Sequence, residues 1–185
     1  MSNKTKVLIV VDMQKDFIDG SLGTKEAQAI LPNVVSKVRE YVLNKDKIIF
    51  TKDTHNENYL KTNEGKHLPI KHCIIGTEGY LINPELMNAI DGISSYYVLS
   101  KPTFGYINWK HDFDNFSIMT EDETKLEIEL CGLCTDICVI SNALILKALY
   151  PEATIKVDSS CCAGVTPEKH NAALEVMKSC QIEVI

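Results

Sequence analysis

Three cysteines fall within nine positions in the stretch CGLCTDICV, residues 131–139, of a chain that carries 7 in 185 residues. Cysteines so placed can bind a metal, form a redox pair, pack in a core or supply a nucleophile. Cys138 falls in the first turn of an apolar helical pattern, where the helix dipole and free backbone N–H groups favour a thiolate. The same N–H groups can hold an oxyanion. Asp12, at the end of one apolar run, is a carboxylate able to accept the thiol proton. Lys101, at the end of another, is a cation able to stabilise both anions. Asp53 ends a further run. No serine–histidine arrangement and no phosphate-binding glycine loop offers a competing chemistry.

These groups must be brought together by the elements between them. KVLIVVD (6–12) and KIIFTKD (47–53) are short β-branched runs closing on Asp, apolar on both faces as strands inside a parallel sheet are. SYYVLSK (95–101) predicts a third strand closing on Lys101, KLEIELCG (125–132) a fourth, ATIKVDS (153–159) a fifth and IEVI (182–185) a sixth. Ile30, Val34, Val38 and Val42 recur at helical spacing within 25–43. NPELMNAI (83–90) reads as a short helix, and ICVISNALILKALY (137–150) as a strong one that Thr135 or Asp136 can cap. TPEKHNAALEVMKSC (166–180) has Thr166 as N-cap, Pro167 at its first position and Glu168 in its first turn. Residues 105–120 are ambiguous and could be a short helix flanked by loops. Residues 54–82 are polar and punctuated by Gly and Pro, a loop of a length that is usually functional or disordered.

Strands alternate with helices throughout. This predicts an α/β fold of three α/β/α layers, a six-stranded mostly parallel sheet with helices on both faces. Ligands of such sheets bind beyond the carboxyl ends of the strands. Asp12, Asp53, Lys101 and, after a short loop, Cys138 therefore converge on one edge.

A chain of 185 residues is most simply one domain spanning 1–185, large enough to bury a core without disulfide staples. No apolar run approaches the roughly 20 residues of a membrane-crossing helix. The start, MSNKTKVLIVVDMQ, ends its apolar run in a charge and lacks a small-residue cleavage site, so it reads as a strand and not a signal peptide. These features point to the cytoplasm, where thiols stay reduced. The odd cysteine number also argues against a complete disulfide framework. With a net charge of -6 and no basic block, nucleic acid and anionic membrane are poor partners.

The motifs VDMQKDF (11–17), TKDTH (51–55), KHCIIGTEG (71–79), KPTFG (101–105) and GLCTDICV (132–139), in this order, resemble those of the isochorismatase-like cysteine hydrolases, and within them the nicotinamidase/pyrazinamidase branch. The resemblance covers nearly the whole chain. It implies the strand order 3-2-1-4-5-6 and a catalytic triad at Asp12, Lys101 and Cys138. It implies an oxyanion hole from the backbone N–H groups of Cys134 and Cys138, and a cis peptide between Leu133 and Cys134. It also implies a divalent metal ion beside the triad, zinc first with iron or manganese as alternatives, held by Asp53, His55 and His72. The remaining ligand in this branch is a His or a Glu. Glu64 is preferred here, with His67 the alternative. Phe17 resembles the family's aromatic wall of the substrate pocket. A second aromatic often precedes the turn to His72, but here Leu68, Pro69 and Ile70 stand in its place. Leu68 and Tyr106 complete the expected substrate contacts, and Trp109 is the other aromatic able to substitute.

The implied activity is an amidase that converts nicotinamide, a small-molecule amide, to nicotinate and ammonia through a thioester. The alternatives are a related metal-free hydrolase of a ureido or carbamoyl compound and, outside enzymes, a metal-binding or thiol-sensing module. Vinyl-ether hydrolysis is disfavoured, because the isochorismatases proper do not use the cysteine. Family analogy also implies a homo-oligomer. Of the other polar candidates, Cys131, Cys161 and Cys162 read as packing, Cys73 has no role, and His111 and His170 read as surface residues. The opening trio then divides: Cys138 does chemistry, Cys134 lends a backbone N–H and Cys131 packs.

Overall fold

Residues 7–11 are apolar on both faces, which suits them to the centre of a sheet. β1 (Thr5–Val11) lies there, with Val7 to Val11 fully buried. The computed structural model describes residues 4–93, 96–118 and 121–185. β2 (Lys47–Asp53) and β4 (Leu126–Leu133) flank β1. β3 (Tyr96–Lys101) lies outside β2, and β5 (Thr154–Ala163) and β6 (Glu183–Val184) lie outside β4. The order is β3-β2-β1-β4-β5-β6, and every pairing among the described residues is parallel. Residue 95, expected to open the third strand, and residues 119–120 of the ambiguous stretch lie outside the described residues, as do residues 1–3.

Helices cover both faces of the sheet, completing the three α/β/α layers. α1 (Lys15–Ile18) leads into α2 (Lys25–Asn44), which packs on the sheet through Ala27, Ile30, Val34, Val38 and Tyr41. α3 (Asn63–His67) and α4 (Pro84–Ala89) lie between β2 and β3, and α4 packs on α2. α5 (Trp109–Asn115) resolves the ambiguous stretch as a short helix, anchored by fully buried Trp109 and Phe113. α6 (Ile140–Leu149) and α7 (Pro167–Ser179) pack on each other and on β5. Thr166 caps α7 as expected, its hydroxyl accepting from the Lys169 N–H at 3.3 Å. No helix among the described residues is long and apolar enough to cross a membrane.

Two segments differ from expectation. β5 runs on to Ala163, so Cys161 and Cys162 are strand residues, both buried. Residues 54–82 are not simply loop, because Tyr59–Lys61 form a 3-10 turn that leads into α3. The five residues of α3 are too few to show a periodicity. Its start is fixed locally by Thr62, whose hydroxyl accepts from the Gly65 N–H at 3.0 Å. Gly65 itself is required, since a Cβ there would stand 2.2 Å from the Tyr59 carbonyl oxygen.

The buried carboxylates of β4 and β5 are matched from α2. Lys37 Nζ lies 2.7 Å from Glu129 Oε1 and 2.9 Å from Asp158 Oδ2. Tyr41 donates to Glu129 Oε2 at 2.8 Å. Burial acts to raise the Asp158 carboxyl, but Lys37 and Ser160 outweigh it and hold it below the usual range. Replacing Lys37 with Met leaves two carboxylates facing one another without a cation. The expected cost at neutral pH is about 2–3 kcal/mol, or a melting temperature lower by roughly 5–10 °C. Protonation relieves the repulsion, so the deficit should shrink as pH falls. Thermal melts of both proteins across pH 4–8 check this, and a deficit independent of pH would refute it.

Candidate active site

β1 ends at Val11, and the next residue turns out of the strand. Asp12 takes φ 47, a left-handed conformation that Asp tolerates better than most side chains. Its N–H lies 3.2 Å from both the carbonyl and the hydroxyl oxygen of Thr51 on β2, and the same hydroxyl donates to Asp12 Oδ1 at 2.7 Å. The other carboxylate oxygen, Oδ2, stands 2.5 Å from Lys101 Nζ at the end of β3. Lys101 Nζ in turn donates to Cys138 Sγ at 3.5 Å. Asp12 and Lys101 are 0% exposed and Cys138 is 6% exposed. Two strand-end groups and a cysteine on the turn after β4 thus form one buried line, from carboxylate to ammonium to thiol.

Cys138 does not open an α-helix directly. Thr135–Val139 form a π-helical turn, and α6 continues from it. The carbonyl of Cys134 accepts from Ile137 N at 3.1 Å and Val139 N at 3.0 Å, and the Leu133–Cys134 peptide is cis. Gly132, just before it, takes φ +116, and a Cβ there would lie 2.1 Å from the Val11 carbonyl oxygen. The turn can therefore come this close to the end of β1 only with glycine at 132.

The electrostatics correct one expectation. A helix N-terminus was expected to lower the Cys138 thiol. Burial instead pushes it well above its ordinary value, and the Asp12 charge adds to this against the opposing pull of Lys101. Burial also raises Asp12, again opposed by Lys101. Burial disfavours the Lys101 charge, but Asp12 and Cys138 outweigh that and hold it above the usual lysine value. Burial therefore favours the protonated thiol at Cys138.

Beside this line the second strand end begins a cluster of metal-ligand type. Asp53, His55, Glu64 and His72 each offer a donor atom, and all these atoms lie within 4.8 Å of one another. His55 Nε2 is 2.9 Å from Asp53 Oδ2 and 3.5 Å from Glu64 Oε1. His72 Nε2 is 3.3 Å and 3.7 Å from the same two oxygens. Four ligands about 2.1 Å from one tetrahedral ion would stand about 3.4 Å apart, so this set fits a divalent ion. His55 Nε2 is buried without a satisfactory hydrogen bond. His72 Nδ1 lies 2.8 Å from the Ile70 carbonyl, which places its N–H there and leaves the Nε2 lone pair facing the cluster. Burial works against a charge on His55, but the Asp53 and Glu64 carboxylates outweigh it and raise the imidazole to about 9. A cation, whether a proton or a metal, is what this cluster attracts. His67 does not join it: the ring is exposed and bound through Nδ1 to the Asn63 carbonyl at 2.8 Å.

Cys138 and the cluster open into one cavity of about 860 Å³. Phe17 and Leu68 line it as expected, with Cys134, Ile137 and Phe104. Tyr106 does not. Its hydroxyl donates to Asp112 Oδ2, its N–H donates to Asn142 Oδ1 at 2.9 Å, and its ring stands edge-on to Trp109. Trp109 is fully buried and also donates to Asn142, at 3.1 Å, so neither aromatic reaches the cavity. Phe104, within the KPTFG motif, is the aromatic of this stretch that lines the cavity. Tyr59 was also missed: its ring packs 4.6 Å from His55 and 4.9 Å from His72, and its hydroxyl reaches Glu64 Oε1 at 3.4 Å. His170 is half-buried rather than a free surface residue, with Nδ1 2.8 Å from the Thr135 hydroxyl of the cysteine turn.

The chain is also similar in sequence and fold to known proteins. The Isochorismatase domain model matches residues 6–185. The nicotinamidase/pyrazinamidase of Mycobacterium tuberculosis is 25% identical over 193 residues, covering 97% of this chain and 98% of that one. The crystal structure of nicotinamidase/pyrazinamidase PncA from Bacillus subtilis superposes with a TM-score of 0.83 at 25% identity, covering 97% of this chain and 98% of that one. The pyrazinamidase of Pyrococcus horikoshii, solved in complex with zinc, gives 0.78 at 26% identity and 98% of both chains.

Proposed function

The chain belongs to the isochorismatase family and is an amidohydrolase, and from that premise we propose that it converts nicotinamide to nicotinate and ammonia through a thioester on Cys138. The observation that carries this reading is the single cavity in which Cys138, in line with Lys101 and Asp12, opens beside Asp53, His55, Glu64 and His72. Asp12 takes the Cys138 proton, and the sulfur attacks the carboxamide carbon. A C–S bond forms while the carbonyl electrons move to oxygen, where the backbone N–H groups of Cys134 and Cys138 receive them. The oxyanion collapses, the C–N bond breaks, and Asp12 returns its proton to the departing ammonia. Asp12 then deprotonates a water that attacks the thioester, and the C–S bond breaks to release the acid as the departing Cys138 sulfur takes that proton back from Asp12. Lys101 touches both groups and stabilises the negative charge as it passes between Asp12 and the Cys138 sulfur. Phe17, Leu68 and Phe104 exclude water around the ring. Asp53, His55, Glu64 and His72 would hold a divalent metal, zinc in this proposal, which would supply Lewis acidity beside the substrate.

Incubation with nicotinamide should release ammonia and nicotinate in equal amounts. Stripping the protein with a strong chelator should lower that rate by about 100-fold or more, and zinc should restore it. No ammonia from nicotinamide, with ammonia from a ureido or carbamoyl compound instead, would refute the substrate assignment and favour the related hydrolase. A rate that survives complete metal removal would refute the role of the four-ligand cluster.

A further inference from the structure

β2 outruns its neighbour. The β1–β2 ladder reaches Val10 opposite Phe50, and the Asp12 N–H still finds Thr51. There the chain turns away: Gln14 N–H donates back to the Asp12 carbonyl at 2.7 Å, and Gln14 bridges to Ile82 instead. Asp53, two residues further along β2, is thereby left without a backbone partner on its β1 side. On its other side it stands in register with Lys101 of β3.

The side chain of Gln14 fills that gap. Its Oε1 accepts from the Asp53 N–H at 2.7 Å, and its Nε2 donates to the Asp53 carbonyl at 2.9 Å. The second Nε2 proton goes to the Tyr80 carbonyl at 3.0 Å, on the segment that returns from His72. Gln14 is fully buried. A primary amide offers one acceptor and two donors in the arrangement these three backbone groups require. A carboxylate would set oxygens against two carbonyls, an aliphatic chain would leave all three groups unpaired, and asparagine is one methylene short.

We propose that Gln14 is a positioning residue for the metal site: its amide stands in for the missing length of β1 and sets where Asp53 stands relative to Asp12 and to the segment carrying His72. The inference rests on reading Asp53, His55, Glu64 and His72 as metal ligands, and not on which amide is hydrolysed. Partners that orient a ligand typically change metal affinity 10–100-fold when removed. Gln14 touches no donor atom of the cluster and acts through the backbone of one ligand.

The test is the affinity of the full-length protein for zinc ion alone, measured by competition against a chelating dye. Parent, Gln14→Met, Gln14→Asn and Lys37→Met are compared. Both Gln14 variants should bind zinc roughly 10–100-fold more weakly than the parent. Lys37→Met, expected to be less stable through contacts away from the site, should keep the parent affinity. If one Gln14 variant fails to fold, the other still decides. A folded Gln14 variant that binds zinc within about twofold of the parent overturns the proposal. So does a Lys37→Met protein that loses affinity as much, since the loss would then follow stability alone. A parent without zinc affinity overturns it together with the metal reading, whereas a zinc-binding parent that leaves nicotinamide untouched sinks only the substrate.

Discussion

Cys138→Ala should release ammonia from nicotinamide about 10⁴–10⁶-fold more slowly than the parent and should fold normally. The size of the loss follows from the site. Without sulfur at 138 no thioester can form, and the remaining Asp12–Lys101 pair can only polarise a water. Cys134 cannot take over. It lines the same cavity, but it lacks the direct Lys101 contact that Cys138 has. The structural cost is small by comparison. Removing one buried sulfur leaves a cavity of a single atom, worth about 1–2 kcal/mol and a melting temperature a few degrees lower. A quantitative ammonia assay with circular dichroism checks both halves, and substantial turnover by the variant would refute the nucleophile assignment. A related result separates this site from one with a preformed thiolate. Because burial and Asp12 push the Cys138 thiol up, a soft alkylating agent should react with it slowly at neutral pH. Rapid alkylation, which a helix N-terminus alone would have produced, would contradict that account.

The parts of this site legible in the sequence are those that lie at strand ends. An apolar run that stops at a charged residue marks both a buried strand and a group at the sheet's carboxyl edge, so Asp12, Asp53 and Lys101 could be placed without any side-chain detail. Their mutual distances could not, because a register of one residue would have separated Lys101 from Asp12. The proposed metal ligands beyond Asp53 were legible only through motif resemblance, since His55, Glu64 and His72 sit on a segment whose short helix leaves no periodic trace. Tyr106 fails for a different reason. Near the pocket, a tyrosine and a tryptophan look equally suited to holding a ring. The choice among Phe104, Tyr106 and Trp109 depends on a buried amide, Asn142, which draws the backbone of one and the indole of another away from the cavity. Gln14 was hidden similarly. Its role appears only once the two strands are seen to end at different heights.

Lys101→Met should lose about 10³–10⁴-fold in kcat/KM, and the acid side of its pH profile should move to higher pH. In the parent, burial raises the Asp12 carboxyl and Lys101 pulls it down. Removing the ammonium removes the pull and leaves the burial, so the carboxyl climbs further. A base works only when ionised, and the active fraction at any given pH therefore falls. The same change appears in stability. Asp12 in the variant has a folded pKa raised above its unfolded value, so its stabilising contribution is complete below the unfolded pKa and lost as pH rises through the folded one. The variant should be less stable than the parent by about 3–5 kcal/mol near neutral pH, the usual result of stranding one partner of a buried pair. That gap should narrow in acid, where the carboxyl is neutral and needs no cation. Denaturant unfolding and kcat/KM profiles over the same pH range read the two effects from one residue. An acid limb that stayed in place, or moved down, would mean that Lys101 does not govern the charge on Asp12. The ammonium would then act mainly on the thiolate, and the order of proton transfers proposed for Cys138 would have to be redrawn.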